Sequence, residues 1–148
     1  MTDEYEKFMN SKTFEKASYS NLNAKQKENY NFHRLSSLLA SFGFNSIRLT
    51  DDVHGADFLA LSTKGDVFKI QLKSRLTFDK KYIGKDLYLA FPFDDGFYVY
   101  LHDEALNLFI DRYETTSSWN IKGLYHTTTK YESMAKYFIN ESSEYISF

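Results

Sequence analysis

Apolar residues recur at helical spacing near the start of the chain and at strand spacing through its middle. Phe32, Leu35, Leu39 and Phe42 mark one face of a helix predicted over residues 23–42. Asn23 and Gln26 stand at capping-box spacing before that stripe, and Gly43 follows as a stop. Phe68, Ile70 and Leu72 then alternate with Lys69, Gln71 and Lys73, the period of a half-buried strand. A strand opening on the Asp57 carboxylate precedes it, and Thr63-Lys64-Gly65 suits a three-residue hairpin loop closed by a glycine of positive φ.

Further elements follow the same logic. Residues 45–50 predict an outer strand with Ile47 and Leu49 on one side. Residues 86–93 and 97–101 read as strands joined through the turn pair Asp95-Gly96. Asp103 stands where it could cap a helix holding Ala105, Leu106, Phe109 and Ile110. Thr129 and Glu132 form a capping box before Met134, Ala135, Phe138 and Ile139, predicting a terminal helix over residues 129–141. Residues 5–9 suggest one short helix in an otherwise aperiodic N-terminal stretch. The order helix, strand, hairpin, strands, helix predicts an α/β fold, a single mixed-sheet domain over residues 1–148 flanked by helices.

The hairpin register decides whether the middle of the chain carries chemistry. A three-residue loop pairs Ser62 with Asp66, so Leu61 faces Val67, Leu59 faces Lys69 and Asp57 faces Gln71. Asp57, Gln71 and Lys73 then converge on one side of the sheet. A two-residue loop would set Asp57 against Leu72 and scatter them. A carboxylate and a lysine at the end of a hairpin form a device for holding a divalent cation beside a phosphate. Glu28 extends the helical stripe backwards. Either it meets a metal or Lys73, because a buried charge needs a partner, or it meets water one turn from the helix start and interacts favourably with the helix dipole.

Helix, Asp strand and Gln-x-Lys strand, in that order, resemble the PD-(D/E)XK nuclease superfamily over roughly residues 24–110. The similarity is to the branch in which glutamine replaces the middle acid, typified by group I intron homing endonucleases and related phage-like nucleases. Glu28 matches the helix-borne glutamate of that pattern, Asp57 its aspartate, and Gln71 and Lys73 its QxK motif. Ala56 stands where the pattern has proline. The later run from Gly84 to Leu106 resembles the family's aromatic strand pair leading into a helix.

The resemblance implies a restriction-endonuclease-like core and a DNA endonuclease of homing, restriction or junction-resolving type. Its cofactor would be Mg²⁺ or Mn²⁺. Asp57 would be the central ligand, with Glu28, Gln71 and the backbone carbonyl of Leu72 beside it. Lys73 would orient the attacking water and stabilise charge on the phosphate. Gln71 brings an amide oxygen but no negative charge, which leaves open a nuclease-fold module without turnover. A protein-interaction or immunity-type domain is the third reading.

Composition narrows the choice only modestly. The chain has 148 residues, no cysteine and a net charge of −2, so thiol catalysis and cysteine-based zinc sites are excluded. His102 and His126 share no metal-ligand spacing; His54, two residues before Ala56, could approach the site as a base or DNA contact, and His33 is expected to cap or pack on the first helix. Charge is distributed unevenly. From Ser62 to Lys85, Lys64, Lys69, Lys73, Arg75, Lys80, Lys81 and Lys85 oppose only Asp66 and Asp79, leaving +5 where a DNA backbone would need it. Tyr82 and the Lys80-Lys81 pair are placed to touch that backbone just beyond the site. The N-terminus is charged and no long apolar run follows, so neither leader nor membrane span is expected and the cytoplasm is the expected location. An enzyme cutting both strands commonly needs two active sites, which a homo-oligomer would supply.

Overall fold

Asn23 starts the first helix as the sequence predicts. Its side chain accepts the Gln26 N–H at 2.8 Å, while the Gln26 side chain accepts the Asn23 N–H at 2.9 Å. In the computed structural model, which describes residues 3–6, 12–128 and 132–148, this box opens α1 over Ala24–Ala40. Two bonds, Gly43 N–H to Ala40 and Phe44 N–H to Leu39, close the helix around Gly43, whose φ is +87°. Such a reversal needs a residue free of Cβ strain. Phe32, Leu35, Leu38 and Leu39 are buried, with Phe42 partly so.

The main sheet has six strands. They are β1 (Asn45–Val53), β2 (Ala56–Leu61), β3 (Val67–Leu72), β5 (Leu87–Phe93), β6 (Gly96–Leu101) and β8 (Phe138–Ile139), hydrogen-bonded in that order. Only the β3–β5 pair is parallel. The remaining strands, β4 (Leu76–Asp79) and β7 (Leu124–Thr127), form a separate antiparallel pair. The result is an α/β fold built on a mixed sheet. Among the described residues, no helix is long and apolar enough to cross a membrane.

Each face of the sheet has its own core. Phe58, Ala60, Ile70, Ala90, Phe97 and Val99 pack under α1. On the other face Leu87, Leu89, Phe91, Tyr98 and Tyr100 meet Leu76 and Phe78 of the small sheet. Phe109, Tyr113 and Trp119 complete that second, aromatic core.

Several predicted elements differ. The β1 strand stands at the sheet edge, the outer place its pattern predicts, but is longer than residues 45–50. The β5–β6 turn is Asp94-Asp95, not Asp95-Gly96, because Phe93 pairs with Gly96. Asp94 takes the positive φ, at +49°. Gly96 is instead needed for close approach, since a Cβ there would lie 2.2 Å from the Ile139 carbonyl oxygen of β8.

Asp103 does not cap its helix, α2 (His102–Leu108), whose N-cap position is Leu101. The helix also breaks at Phe109 before the short α3 (Ile110–Tyr113). The terminal helix predicted over 129–141 is a 3₁₀ stretch, Glu132–Tyr137, followed by β8. Pairing Phe97 with Ile139 extends the sheet with two good strand formers, and that tertiary gain overrides the local helical pattern. Thr129, half of the expected capping box, lies outside the described residues. Residues 3–6 are helical, while the rest of the helix expected over 5–9 lies outside the described residues.

Candidate functional site

The hairpin adopts the three-residue loop. The Ser62 N–H donates to the Asp66 carbonyl at 2.9 Å, and Gly65 has φ of +91°. Leu61 pairs with Val67, Leu59 with Lys69 and Phe58 with Ile70. One further step sets Asp57 opposite Gln71, as the sequence predicts. Both therefore point away from α1, because Phe58 and Ile70 point towards it.

On the other flank of Asp57 the sheet opens. Arg48 pairs with Phe58 but Val53 pairs with Ala56, so the four residues Leu49–Asp52 face Asp57 alone. A bulge of that size takes β1 out of the ladder beside Asp57 and brings Asp52 near it. Asp52 is a site residue that sequence reasoning missed. The two-residue His54-Gly55 turn was its only local signal, because it implies a second register incompatible with that of Arg48.

Asp57 is partly buried. Burial raises its carboxyl pKa above the ordinary aspartate value, and the charges of Glu28 and Asp52 push the same way. The Leu72 N–H, donated to Asp57 Oδ2 at 2.8 Å, and the Lys73 charge pull it back. Beside it the amide oxygen of Gln71 is buried without a hydrogen-bond partner. Leaving such an acceptor unmet costs about 1–3 kcal/mol.

Lys73 makes no ion pair with a described residue, and its Nζ stands 5.3 Å from the Tyr82 ring centre. Tyr82 itself is buried, and burial raises its phenol pKa. The backbone of Lys73 is fixed by its N–H bond to Ala90 on β5.

Glu28 is near enough to act on Asp57 but is not buried. Its side chain is 47% exposed and is held by Arg48 at 3.4 Å and Lys25 at 3.5 Å. Of the two sequence readings, the solvated one describes its burial, and Arg48 takes the place of Lys73 as partner. Arg48 also lies over the Phe32 ring, which fixes it between helix and sheet.

The expected band of basic residues does not gather at one point. Lys64 is exposed at the hairpin tip, at the far end of β2 from Asp57. Lys69 donates to the Lys85 carbonyl. Arg75 bonds His126 at 2.7 Å, and burial together with that guanidinium lowers the His126 pKa. Lys80 covers Trp119, while Lys81 bridges Asp79 and the Tyr82 ring. Lys73 and Lys81, both leaning on Tyr82, are therefore the cations shown beside the site. His54 is exposed in the β1–β2 turn with φ of +54°, and His33 is exposed on α1.

The donors that could hold a metal are all oxygens: the Asp57 carboxylate, the Gln71 amide and the Leu72 carbonyl, with Glu28 and Asp52 nearby. Among the described residues no three acids or histidines are gathered closely enough to form a metal site by themselves. The set suits a hard cation that keeps several waters, as Mg²⁺ does, and the unmet Gln71 oxygen supplies the fit. No protein-family model, curated protein or solved structure matches the chain.

Proposed function

We propose that the protein is a divalent-metal-dependent DNA endonuclease of the PD-(D/E)XK kind, in the branch where glutamine replaces the middle acid. The observation that carries this reading is the buried, unpartnered Gln71 oxygen opposite the desolvated Asp57 carboxylate, with Lys73, which makes no ion pair with a described residue, directly after the end of β3. A folded chain retains an unmet acceptor beside an uncomfortable carboxylate most readily where a cation satisfies both.

Asp57, Gln71 and the Leu72 carbonyl would hold Mg²⁺ or Mn²⁺, and Glu28 would reach it through water. When bound, such a cation neutralises phosphoryl oxygens and lowers the pKa of a coordinated water. The chain's own residues do the rest. The Leu72 N–H fixes the Asp57 carboxylate, leaving its other oxygen for a ligand. Lys73, anchored through Ala90 and in no ion pair with a described residue, orients the attacking water and stabilises charge as the phosphodiester is displaced. Two active sites for duplex cutting would come from a homo-oligomer.

One observation favours a nucleic-acid-binding module without turnover. Arg48 and Lys25 already neutralise Glu28, so Glu28 does not replace the charge that Gln71 lacks. The deciding experiment is cleavage of supercoiled plasmid and branched DNA with Mg²⁺, Mn²⁺ or EDTA, using wild type, Asp57→Ala and Lys73→Ala. Metal-dependent cutting lost in both variants is expected. No cutting, together with no Asp57-dependent metal binding by titration, would remove catalysis from consideration.

A further inference from the structure

Beside the candidate centre lies a cleft of about 240 Å³ between the first half of α1 and the chain leaving β3. Leu72, Lys73 and Glu28 belong to both, so the cleft continues the site instead of standing apart from it. Tyr19, in a 3₁₀ turn before α1, also lines it.

Three features give the cleft a chemical character. Asn31, only 8% exposed, lines it; its Nδ2 donates to the Tyr19 hydroxyl at 2.9 Å, but its Oδ1 is buried without a partner. Lys27 and Lys73 also line it, and neither makes an ion pair with a described residue. Each ammonium instead sits over a tyrosine ring, Lys27 at 5.4 Å from that of Tyr19 and Lys73 at 5.3 Å from that of Tyr82. The remaining acid, Glu28, is engaged by Lys25 and Arg48. Apolar walls, an unmet amide acceptor and two unpaired cations match a flat base bearing an N–H and linked to phosphate. About 240 Å³ is room enough for one base.

We propose that this cleft receives one unpaired nucleotide adjoining the scissile phosphate, with its base beside Asn31 and Leu72 and its phosphate towards Lys27. The assignment of a scissile phosphate rests on the nuclease reading. It makes the substrate a DNA with an unpaired nucleotide beside the cut, such as a bulge, flap or fork, over continuous duplex. It also sets the strand's path, towards Tyr19 and away from the hairpin tip.

The test is fluorescence anisotropy of the wild-type protein in EDTA with three labelled duplexes: fully paired, carrying one bulged adenosine, and carrying the same bulge without its base. The bulged adenosine is expected to bind roughly tenfold tighter than either other probe. Lys27→Ala and Asn31→Leu should erase that preference, with thermal melting to confirm folding. Because Asn31 is buried, Tyr19→Ala provides a second variant if Asn31→Leu does not fold. Equal affinity for the three probes would overturn the proposal, as would an equal preference for the abasic bulge. So would a preference unaltered in both Lys27→Ala and Tyr19→Ala, or no DNA binding at low salt. Adding Mg²⁺ to the same samples judges the nuclease reading separately. Cutting without the preference removes only the subsite, and the preference without cutting removes only the nuclease.

Discussion

Two polar clusters are built into the aromatic side of the sheet, and they are finished differently. Around Tyr100 and His102 every named group is closed. The Tyr100 hydroxyl donates to the Thr77 carbonyl at 2.7 Å and accepts the Thr77 N–H at 3.1 Å. His102 Nε2 accepts the Asp79 N–H, its Nδ1–H donates to Asp103, and Asp103 also accepts the Gly84 N–H. Around Asp57, among the described residues, the groups are left open: one backbone donor, one orphaned amide oxygen and a lysine in no ion pair. Closed networks fix one strand against another, here the small sheet against the large one. An open network retains binding capacity, and its cost to folding is what a ligand can return.

The largest expected contrast comes from emptying each cluster in turn. Asp57→Ala should lower metal-dependent cleavage by at least ~10²-fold with little change in melting temperature, because losing the Leu72 hydrogen bond offsets the removal of a carboxylate that burial disfavours. Saturating Mn²⁺ should raise the wild-type melting temperature and leave that of the variant unchanged. A variant that keeps cutting, or unfolds, would break the distinction. Tyr100→Phe should do the opposite. It leaves the backbone N–H and carbonyl of Thr77 without their Tyr100 partner in a buried place and should cost about 1–3 kcal/mol, read as a fall in urea midpoint. Cleavage per folded molecule should be retained.

The sequence carried the open cluster better than the closed one. Asp57, Gln71 and Lys73 lie on two strands joined by a short loop, so Gly65 and simple alternation sufficed to align them. The capping box of α1 was equally local. Asp103 read as a cap because its position relative to an apolar run was right, yet its partners are His102 and Gly84, the latter far along the chain. Asp52 was illegible because its place depends on two registers of one strand pair, and the gap between them is a tertiary fact. The terminal helix failed because Met134, Tyr137 and Ile139 are buried as 3₁₀ turn and strand, contacts that no local pattern encodes.

Acid should sharpen the contrast, with the two clusters responding in opposite senses. Burial lowers the His102 pKa despite Asp103, so the unfolded chain takes up the proton first as pH falls below about 6.5. Stability from neutral His102 is present above that point and is lost as pH falls through the lower folded value. Asp57 runs the other way. Its folded pKa lies above the unfolded one, so the native state takes up its proton first and gains stability as pH falls through that folded value. Urea midpoints at pH 7.5, 5.5 and 4 should show His102→Gln flattening the loss below pH 6.5. Asp57→Asn should remove the partial recovery nearer pH 4.

The smallest expected effect is also informative, because it separates the site from its surrounding charge. Lys64 contributes to the +5 of its segment but sits at the hairpin tip, and Asp57 and Leu61 alone span about 13 Å of strand. That distance exceeds the screening length of about 8 Å at physiological salt. Lys64→Ala should therefore change cleavage less than about twofold, whereas Lys81→Ala, beside Tyr82, should weaken DNA binding and reduce its salt dependence. Measuring both variants across a salt series decides the matter. Equal losses would mean that the whole band acts as one field, whereas a loss confined to Lys81 would place the DNA at the open cluster's end of the hairpin.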